Sequence, residues 1–170
     1  FKKIPKYGDL VVFKTPADNR TDYIKRLIGM PGDIIQFKNG KLFLNRTEIL
    51  KTQINNSYQI RCGSVTSEVN AFRETLPNGK TYIAVYKKVG TMQNTDEYKV
   101  PQGNYFFLGD NRDCSKDSRF LSSVGYVSGE NLVGNAAIIF FSNDTVSGSI
   151  FKFWNWKKSL RIKRFFNLLK

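Results

Sequence analysis

The residues with the greatest chemical potential lie in the segment 109–119, whose sequence is Gly-Asp-Asn-Arg-Asp-Cys-Ser-Lys-Asp-Ser-Arg. Six of these eleven residues are charged, three of each sign, and they follow directly on the apolar run 105–108. Charged groups beside a core are costly unless they are paired. The pattern therefore predicts a loop that is braced by ion pairs at the end of a buried strand.

The chain contains no histidine. This absence excludes a Ser-His-Asp triad, a Cys-His pair and a histidine-based zinc site. If the protein is an enzyme, its general base must be a lysine, an aspartate, a glutamate, a tyrosine or an amine.

A candidate base lies in segment 22–33, Asp-Tyr-Ile-Lys-Arg-Leu-Ile-Gly-Met-Pro-Gly-Asp. Neighbouring side chains of a strand point to opposite faces, so Lys25 and Arg26 cannot both face solvent. With Arg26 on the solvent side, Lys25 points inward, where burial lowers the pKa of its amine from about 10.4 toward neutrality. A neutral amine is a competent general base. A Lys-Arg pair in a cationic chain is more commonly two solvated side chains on an edge strand, and the sequence leaves both interpretations open.

Two ligand-binding interpretations of the charged loop fail on its spacing. Counted from Asp113 as a calcium loop, the sixth position is Ser118 instead of glycine and the twelfth is Val124 instead of glutamate. A phosphate-binding loop would need further glycines and a Gly-Lys-Ser/Thr ending. A purely structural ion-pair turn remains open.

Composition indicates one ordinary domain, with room for an inserted lobe. The chain has 170 residues, of which 41% are hydrophobic and 14% aromatic, and the aromatic content favours β structure. The formal net charge of +13 favours anionic partners such as nucleic acid or lipid headgroups. Cys62 and Cys114 have no metal-binding spacing, and the sequence leaves open whether they form a disulfide. The longest apolar run, 136–141, is too short to span a bilayer.

The hydrophobic pattern predicts short strands separated by turns, with very little helix. Strands are expected at 10–13, 23–30, 82–89, 105–108 and 131–142, and a hairpin at 34–37 and 42–44 around Asn39-Gly40. The segment 48–76 is polar and irregular. The fold class predicted from these elements is mainly β.

Three blocks of the sequence, taken together, resemble bacterial type I signal peptidases, also called leader peptidases. The blocks are 8–13, 23–33 and 109–119, they occur in that family's order, and Asn-Leu-Val-Gly at 131–134 is also similar. The resemblance covers nearly the whole chain apart from about 48–95. It implies a barrel-like or complex β catalytic core formed by 1–47 and 96–150, a small β-rich insertion at 48–95 and a basic, aromatic tail at 151–170.

The activity that the resemblance implies is that of a membrane-anchored serine endopeptidase with a Ser/Lys dyad. Such an enzyme removes signal peptides from exported preproteins at the cytoplasmic (inner) membrane of a bacterium, with its catalytic domain on the outer or periplasmic side. The expected partners are signal-peptide-bearing preproteins and the phospholipid membrane. No nucleic acid, cofactor or metal is expected.

The same resemblance implies roles for individual residues. Lys25 matches the general base, and Ser115 matches a serine that orients it. The residues that match the ion pairs around the site are Asp110, Arg112, Asp117 and Arg119. The strand residues Asp22, Tyr23 and Ile24 match the strand that pairs with substrate. Cys114 stands where the family commonly has asparagine, and we interpret it as a tolerated small residue rather than a nucleophile.

The family's nucleophile is the serine of a Ser-Met pair in a block that precedes the first block found here, and the family's membrane segment also precedes it. The chain contains no Ser-Met pair and begins with Phe1 instead of methionine. We therefore expect a catalytic-domain fragment that lacks the anchor and the nucleophile and is inactive in isolation.

The tail 151–170 combines two tryptophans with a dense run of lysine and arginine. This combination suits a membrane interface, although a solvated terminal helix with core-packing aromatic residues fits equally well.

Three other functions remain as alternatives. The charge and aromatic content also fit a nucleic-acid-binding module, although no known binding signature is present. A self-cleaving repressor-type Ser/Lys peptidase shares the chemistry but not the charged loop. The third alternative is a non-catalytic, cationic β domain that binds nucleic acid or membranes.

Overall fold

The computed structural model describes residues 4–87, 90 and 92–138, and it describes residues 55–57 by their backbone alone. The chain divides into two compact units, Phe1–Asn135 and Ala136–Lys170. The tail at 151–170 and its predicted membrane interface lie outside the described residues. Among the described residues no helix has the length and apolar character needed to cross a bilayer.

The described part of the first unit contains twelve strands, as the mainly β prediction requires, and the fold class is confirmed. In chain order they are β1 (Leu10–Lys14), β2 (Asp22–Gly29), β3 (Ile34–Lys38), β4 (Lys41–Leu44), β5 (Thr47–Glu48), β6 (Leu50–Cys62), β7 (Val65–Thr75), β8 (Thr81–Lys87), β9 (Tyr98–Lys99), β10 (Asn104–Leu108), β11 (Val127–Ser128) and β12 (Leu132–Asn135).

The strands form three sheets whose strand pairs are all antiparallel. The first has the order β11-β10-β2-β1-β12, the second β5-β4-β3-β9 and the third β6-β7-β8. Two apolar clusters lie against the first sheet, and consecutive residues of β2 point into different ones: Leu27 into the cluster with Phe13 and Phe107, and Ile28 into the cluster with Ile35. Strand β2 is thus an interior strand that is covered on both faces.

The hairpin predicted around Asn39-Gly40 is formed by β3 and β4. Asn39 and Gly40 both have positive φ angles, 49° and 70°, which is the backbone that a tight β3–β4 hairpin requires.

The strand predicted at 131–142 is shorter in the described residues. Here β12 begins after a 3-10 turn at Gly129–Asn131, and its pairing with β1 ends where Asn135 faces Val11, next to the start of β1.

The polar region that follows β5 forms the third sheet. Strands β6 and β7 make a long hairpin, and β8 pairs along β7. Leu76, Tyr82 and Ala84 from this region belong to the same apolar cluster as Ile28 and Ile35. The third sheet therefore shares a core with β2 and β3, and it lies close enough to contact the charged loop.

Candidate active site

Lys25 lies in the half of β2 that projects beyond its neighbour β10. Residues Arg26 to Gly29 pair with β10, whose last residue, Leu108, faces Arg26. Residues 22–25 pair with β1 on one edge, and no described strand pairs with them on the other. The chain continues from Leu108 directly into the charged loop 109–119. The loop therefore reaches the position beside Lys25.

The Lys25 amine donates a hydrogen bond to Ser115 Oγ at 2.7 Å. This contact joins two residues that are 90 positions apart, and it forms because Gly109 leaves space for the serine. A Cβ built on Gly109 would overlap Ser115 Oγ and would lie 3.6 Å from Lys25 Nζ. The structure thus brings together the two residues that the sequence predicted as the base and its orienting group.

Arg26 corrects one expectation, because it does not face solvent. It is only 3% exposed, and its guanidinium makes two hydrogen bonds of 2.8 Å to the Asp110 carboxylate and one of 2.7 Å to the Gly8 carbonyl. Its charge also lies 4.5 Å from the centre of the Tyr82 ring. The prediction was wrong because β2 is an interior strand, so the face opposite Lys25 is also buried. The alternative of two solvated side chains fails because Arg26 is buried.

Arg112 is paired with a residue that the sequence analysis missed, Glu74 of β7. Both side chains are 1% exposed, and the guanidinium donates to the two carboxylate oxygens at 3.1 and 2.7 Å. Tyr82 Oη and Tyr86 Oη also donate to Glu74. Burial by itself raises the pKa of the Glu74 carboxyl, but Arg112 and the tyrosine hydroxyls outweigh it and hold the pKa below its ordinary value. Glu74 lies in a polar strand with no motif, so no sequence signal pointed to it.

Asp117 and Arg119 close the charged loop against its own strand. Arg119 donates to both Asp117 oxygens, at 2.8 and 2.9 Å, and both side chains are buried. Asp117 also accepts a hydrogen bond from the Gly109 amide at 2.9 Å, and Ser118 bonds to the Phe107 backbone. These bonds fix the two ends of the loop against each other and set the path of the residues between them.

Burial is the main cause of a lowered pKa at Lys25. It lowers the pKa of the amine from its ordinary 10.5, and the positive charge of Arg119 acts in the same direction. The carboxylates of Asp117 and Asp110 act the other way but do not restore the ordinary pKa. A lysine in this state gives up its proton more readily than a solvated lysine and can accept one from a nearby hydroxyl.

Lys25 and Ser115 line a cleft of about 340 Å³, together with Ile24 and the loop backbone. Ile24 is 55% exposed at its edge, and the Tyr23 ring centre lies 5.3 Å from Lys25 Nζ. Asp22 lies farther along the strand and pairs with Lys14 in an exposed ion pair. Of the three predicted substrate-strand residues, Ile24 therefore lines the cleft and Tyr23 contacts the lysine.

A larger cleft of about 850 Å³ lies elsewhere, lined by Tyr98, Arg119 and Phe120 among others. It contains neither Lys25 nor Ser115, and we assign the site by its chemistry rather than by cavity size. Within the described ranges no group of three acidic or cysteine side chains is arranged to hold a metal ion.

Comparisons with known proteins find signal peptidases. The family model described as "Signal peptidase, peptidase S26" matches residues 2–141. A signal peptidase I of Rickettsia akari (strain Hartford) is 40% identical over 189 residues, which cover 99% of this chain and 67% of that protein. One of Rickettsia prowazekii (strain Madrid E) is 40% identical over 185 residues with the same coverage. A crystal structure of a signal peptidase I from Enterococcus faecalis V583 is 25% identical, covers 79% of this chain and 97% of its own, and has a TM-score of 0.45.

Proposed function

Because the chain belongs to the signal peptidase family, peptidase S26, we propose that it forms the catalytic core of a serine endopeptidase that removes signal peptides, with Lys25 as the general base. The observation that carries this proposal is the partly buried Lys25 amine, 2.7 Å from Ser115 Oγ in a cleft beside a strand edge that no described strand pairs with. No other described lysine combines a lowered pKa with a place in that cleft.

The neutral amine accounts for both halves of a peptidase cycle. Lys25 takes the proton of a serine hydroxyl while the hydroxyl oxygen attacks the scissile carbonyl carbon, and it then gives this proton to the leaving amine. The remaining acyl ester is hydrolysed by a water molecule that loses its proton to the same amine. Ser115 holds the amine in place by their hydrogen bond.

The substrate is an extended peptide that adds to the free edge of residues 22–25. Such pairing uses backbone hydrogen bonds, which do not depend on side chains, so one enzyme can accept many sequences. The walls of the cleft, including Ile24, then limit the size of the substrate side chains that can enter it. A cleft of about 340 Å³ shared with the catalytic groups favours small residues before the cleaved bond.

The nucleophile is a serine outside the residues described here. The chain has no Ser-Met pair, and the one serine that hydrogen-bonds Lys25 among the described residues is Ser115, whose hydroxyl is packed on Gly109. On this proposal the 170-residue chain is inactive alone. Membrane attachment and the outer face of the cytoplasmic membrane as the place of action are part of the same proposal, and the net charge of +13 suits an anionic lipid surface.

A second candidate mechanism makes Ser115 itself the nucleophile, and the 2.7 Å contact with Lys25 is the observation that favours it. The two mechanisms differ in one outcome. If Ser115 is the nucleophile, the purified 170-residue chain cleaves a signal peptide. If Ser115 only orients the base, the purified chain does not.

The decisive experiment uses the gene product that contains this sequence, in membranes, with a preprotein as substrate. We expect Lys25→Ala to lower cleavage by about 10²–10⁴-fold or more, the contribution of a general base. The control is Lys116→Ala, which removes an exposed lysine from the same loop and should leave cleavage unchanged. Activity of Lys25→Ala within tenfold of the unaltered enzyme would exclude Lys25 as the base. No cleavage by any folded version would favour a non-catalytic relative.

A further inference from the structure

We propose that the disulfide between Cys62 and Cys114 is a positioning device for the candidate site, which holds Ser115 against Lys25 and shields the Lys25 amine from water. The importance of this for catalysis rests on the proposed function of Lys25. The geometric claim itself does not.

Cys62 lies at the tip of the long β6–β7 hairpin. It is the last residue of β6, it pairs with Val65 at the start of β7, and Gly63 makes the turn with a φ of 62°. Arg61 and the residues 63–66 around it are exposed. The hairpin tip thus projects from the third sheet, and the Cα atoms of Cys62 and Cys114 approach to 5.6 Å, within the range that disulfides adopt.

Cys114 directly precedes Ser115, and both residues line the cleft that contains Lys25. The bond therefore anchors the third sheet to the wall of the site, 52 positions away in sequence. No motif in the chain predicts this contact.

The disulfide acts on the part of the loop that other contacts hold least. Residues 110–113 are fixed to β8 by backbone hydrogen bonds, because the Val85 amide donates to the Asp110 carbonyl and the Arg112 amide donates to the Val85 carbonyl. The Lys87 amide also donates to the Asp113 carboxylate. The next strong anchor is Asp117. Between these points, the described hydrogen bonds and covalent links from 114–116 to residues outside the loop are the disulfide and the Ser115–Lys25 bond.

The position of Ser115 tolerates little displacement. Its hydroxyl packs on Gly109, where even a Cβ would overlap it, and reaches Lys25 at 2.7 Å. A shift of about 1 Å takes this contact beyond hydrogen-bond distance. A covalent link on the adjacent residue is an effective way to prevent such a shift.

Loss of the disulfide should change the pKa of Lys25 measurably. The charged groups that face Lys25 are Asp110, Asp117 and Arg119, and the Tyr23 ring lies beside it. Burial is the largest influence and lowers the pKa of the amine. If residues 114–115 move away, water enters and the pKa rises toward 10.5. Loss of Ser115 as an acceptor acts in the opposite direction, but burial is the larger effect.

The experiment titrates lysine side chains in the 170-residue chain by 13C NMR, oxidised and after reduction with a phosphine. The phosphine breaks the S–S bond and is oxidised, and one water molecule supplies the oxygen of the phosphine oxide and the hydrogens of the two thiols. We expect the pKa of Lys25 to rise toward 10.5, which lowers the fraction of neutral amine near pH 7. Cys62→Ser, which changes only the distant hairpin tip, should give the same rise. Val65→Ala, which alters the same tip but retains the disulfide, should give none.

Lys51 is the internal control, because its pKa is also lowered by burial and it lies in another cavity. A rise at Lys25 with no change at Lys51 supports the proposal. An unchanged Lys25, with mass spectrometry confirming reduction, would overturn it. Equal rises at both lysines, or unfolding on reduction, would also overturn it, because the bond would then maintain the fold in general. No cleavage is measured, so failure here is distinct from failure of the proposed function.

Discussion

The buried pair of Glu74 and Arg112 offers a quantitative test of how the third sheet supports the charged loop. Glu74→Gln removes one negative charge and leaves the shape of the side chain nearly unchanged. The Arg112 guanidinium then stays buried without a counter-ion, since both side chains are 1% exposed. Arg112 also connects to the loop through its own backbone, whose carbonyl accepts a hydrogen bond from Arg119.

The expected cost follows from the contacts that are lost. Glu74 accepts four hydrogen bonds, two from Arg112 and one from each of Tyr82 and Tyr86. A glutamine oxygen can accept part of these, but its amide group cannot accept from the guanidinium. Breaking a buried pair from one side lowers the free energy of unfolding by about 3–5 kcal/mol. Single domains are stable by about 5–15 kcal/mol, so the variant should fold but unfold at much lower denaturant.

The assay is urea denaturation of the 170-residue chain followed by circular dichroism. The double variant Glu74→Gln with Arg112→Met removes both charges, and its amide can still bond the two tyrosine hydroxyls. We expect this double variant to be more stable than Glu74→Gln alone. The surface control is Glu48→Gln, whose partner Lys41 is 52% exposed, and it should change stability by about 1 kcal/mol or less. A loss below about 1 kcal/mol for Glu74→Gln would refute the reasoning.

Three further predictions address the site and its ionisation. Gly109→Ala places a methyl group on Ser115 Oγ and should lower signal-peptide cleavage by the intact enzyme about 10²-fold, whereas Gly134→Ala, whose added Cβ meets nothing within 4 Å, should not. Cleavage at low substrate should rise with pH and reach half its maximum below pH 10.5, because the neutral Lys25 amine is the proposed base and its pKa is lowered; a pH–rate midpoint at or above 10.5 contradicts this. The pKa of Glu74 lies below 4.5 in the fold, so its stabilising effect is present above that pH and is lost as pH falls; acid denaturation curves of Glu74→Gln should therefore be flatter below pH 4.5 than those of the unaltered chain.

Local signals in the sequence were sufficient for the elements whose form depends on neighbours in the chain. Asn39-Gly40 predicted a hairpin because those residue types adopt positive φ at low cost, and both have it. The apolar run before the charged loop predicted a buried strand for the same kind of reason, and β10 is buried at Phe106, Phe107 and Leu108. The sequence also named Lys25 and Ser115, which the fold brings to 2.7 Å.

Contacts between distant strands could not be predicted from the sequence. Whether Arg26 faced solvent depended on what packs against each face of β2, and alternation within one strand cannot show this. Glu74 is 38 positions from Arg112 in a strand without a motif, so its role was visible only once β7 and the loop were adjacent. The pairing of Cys62 with Cys114 was open for the same reason.

The use of arginine in the ion pairs around the loop explains how Lys25 alone can set the charge of the site. Three carboxylates are each held by an arginine through two parallel hydrogen bonds, and the pairs are Arg26–Asp110, Arg112–Glu74 and Arg119–Asp117. Arginine stays charged at every pH at which Lys25 can titrate, so each pair stays neutral overall and keeps its geometry. The amine can therefore gain and lose a proton without rearranging its surroundings. A lysine in place of any of these arginines would titrate in the same range as Lys25, and the charge of the site would no longer be set by a single group.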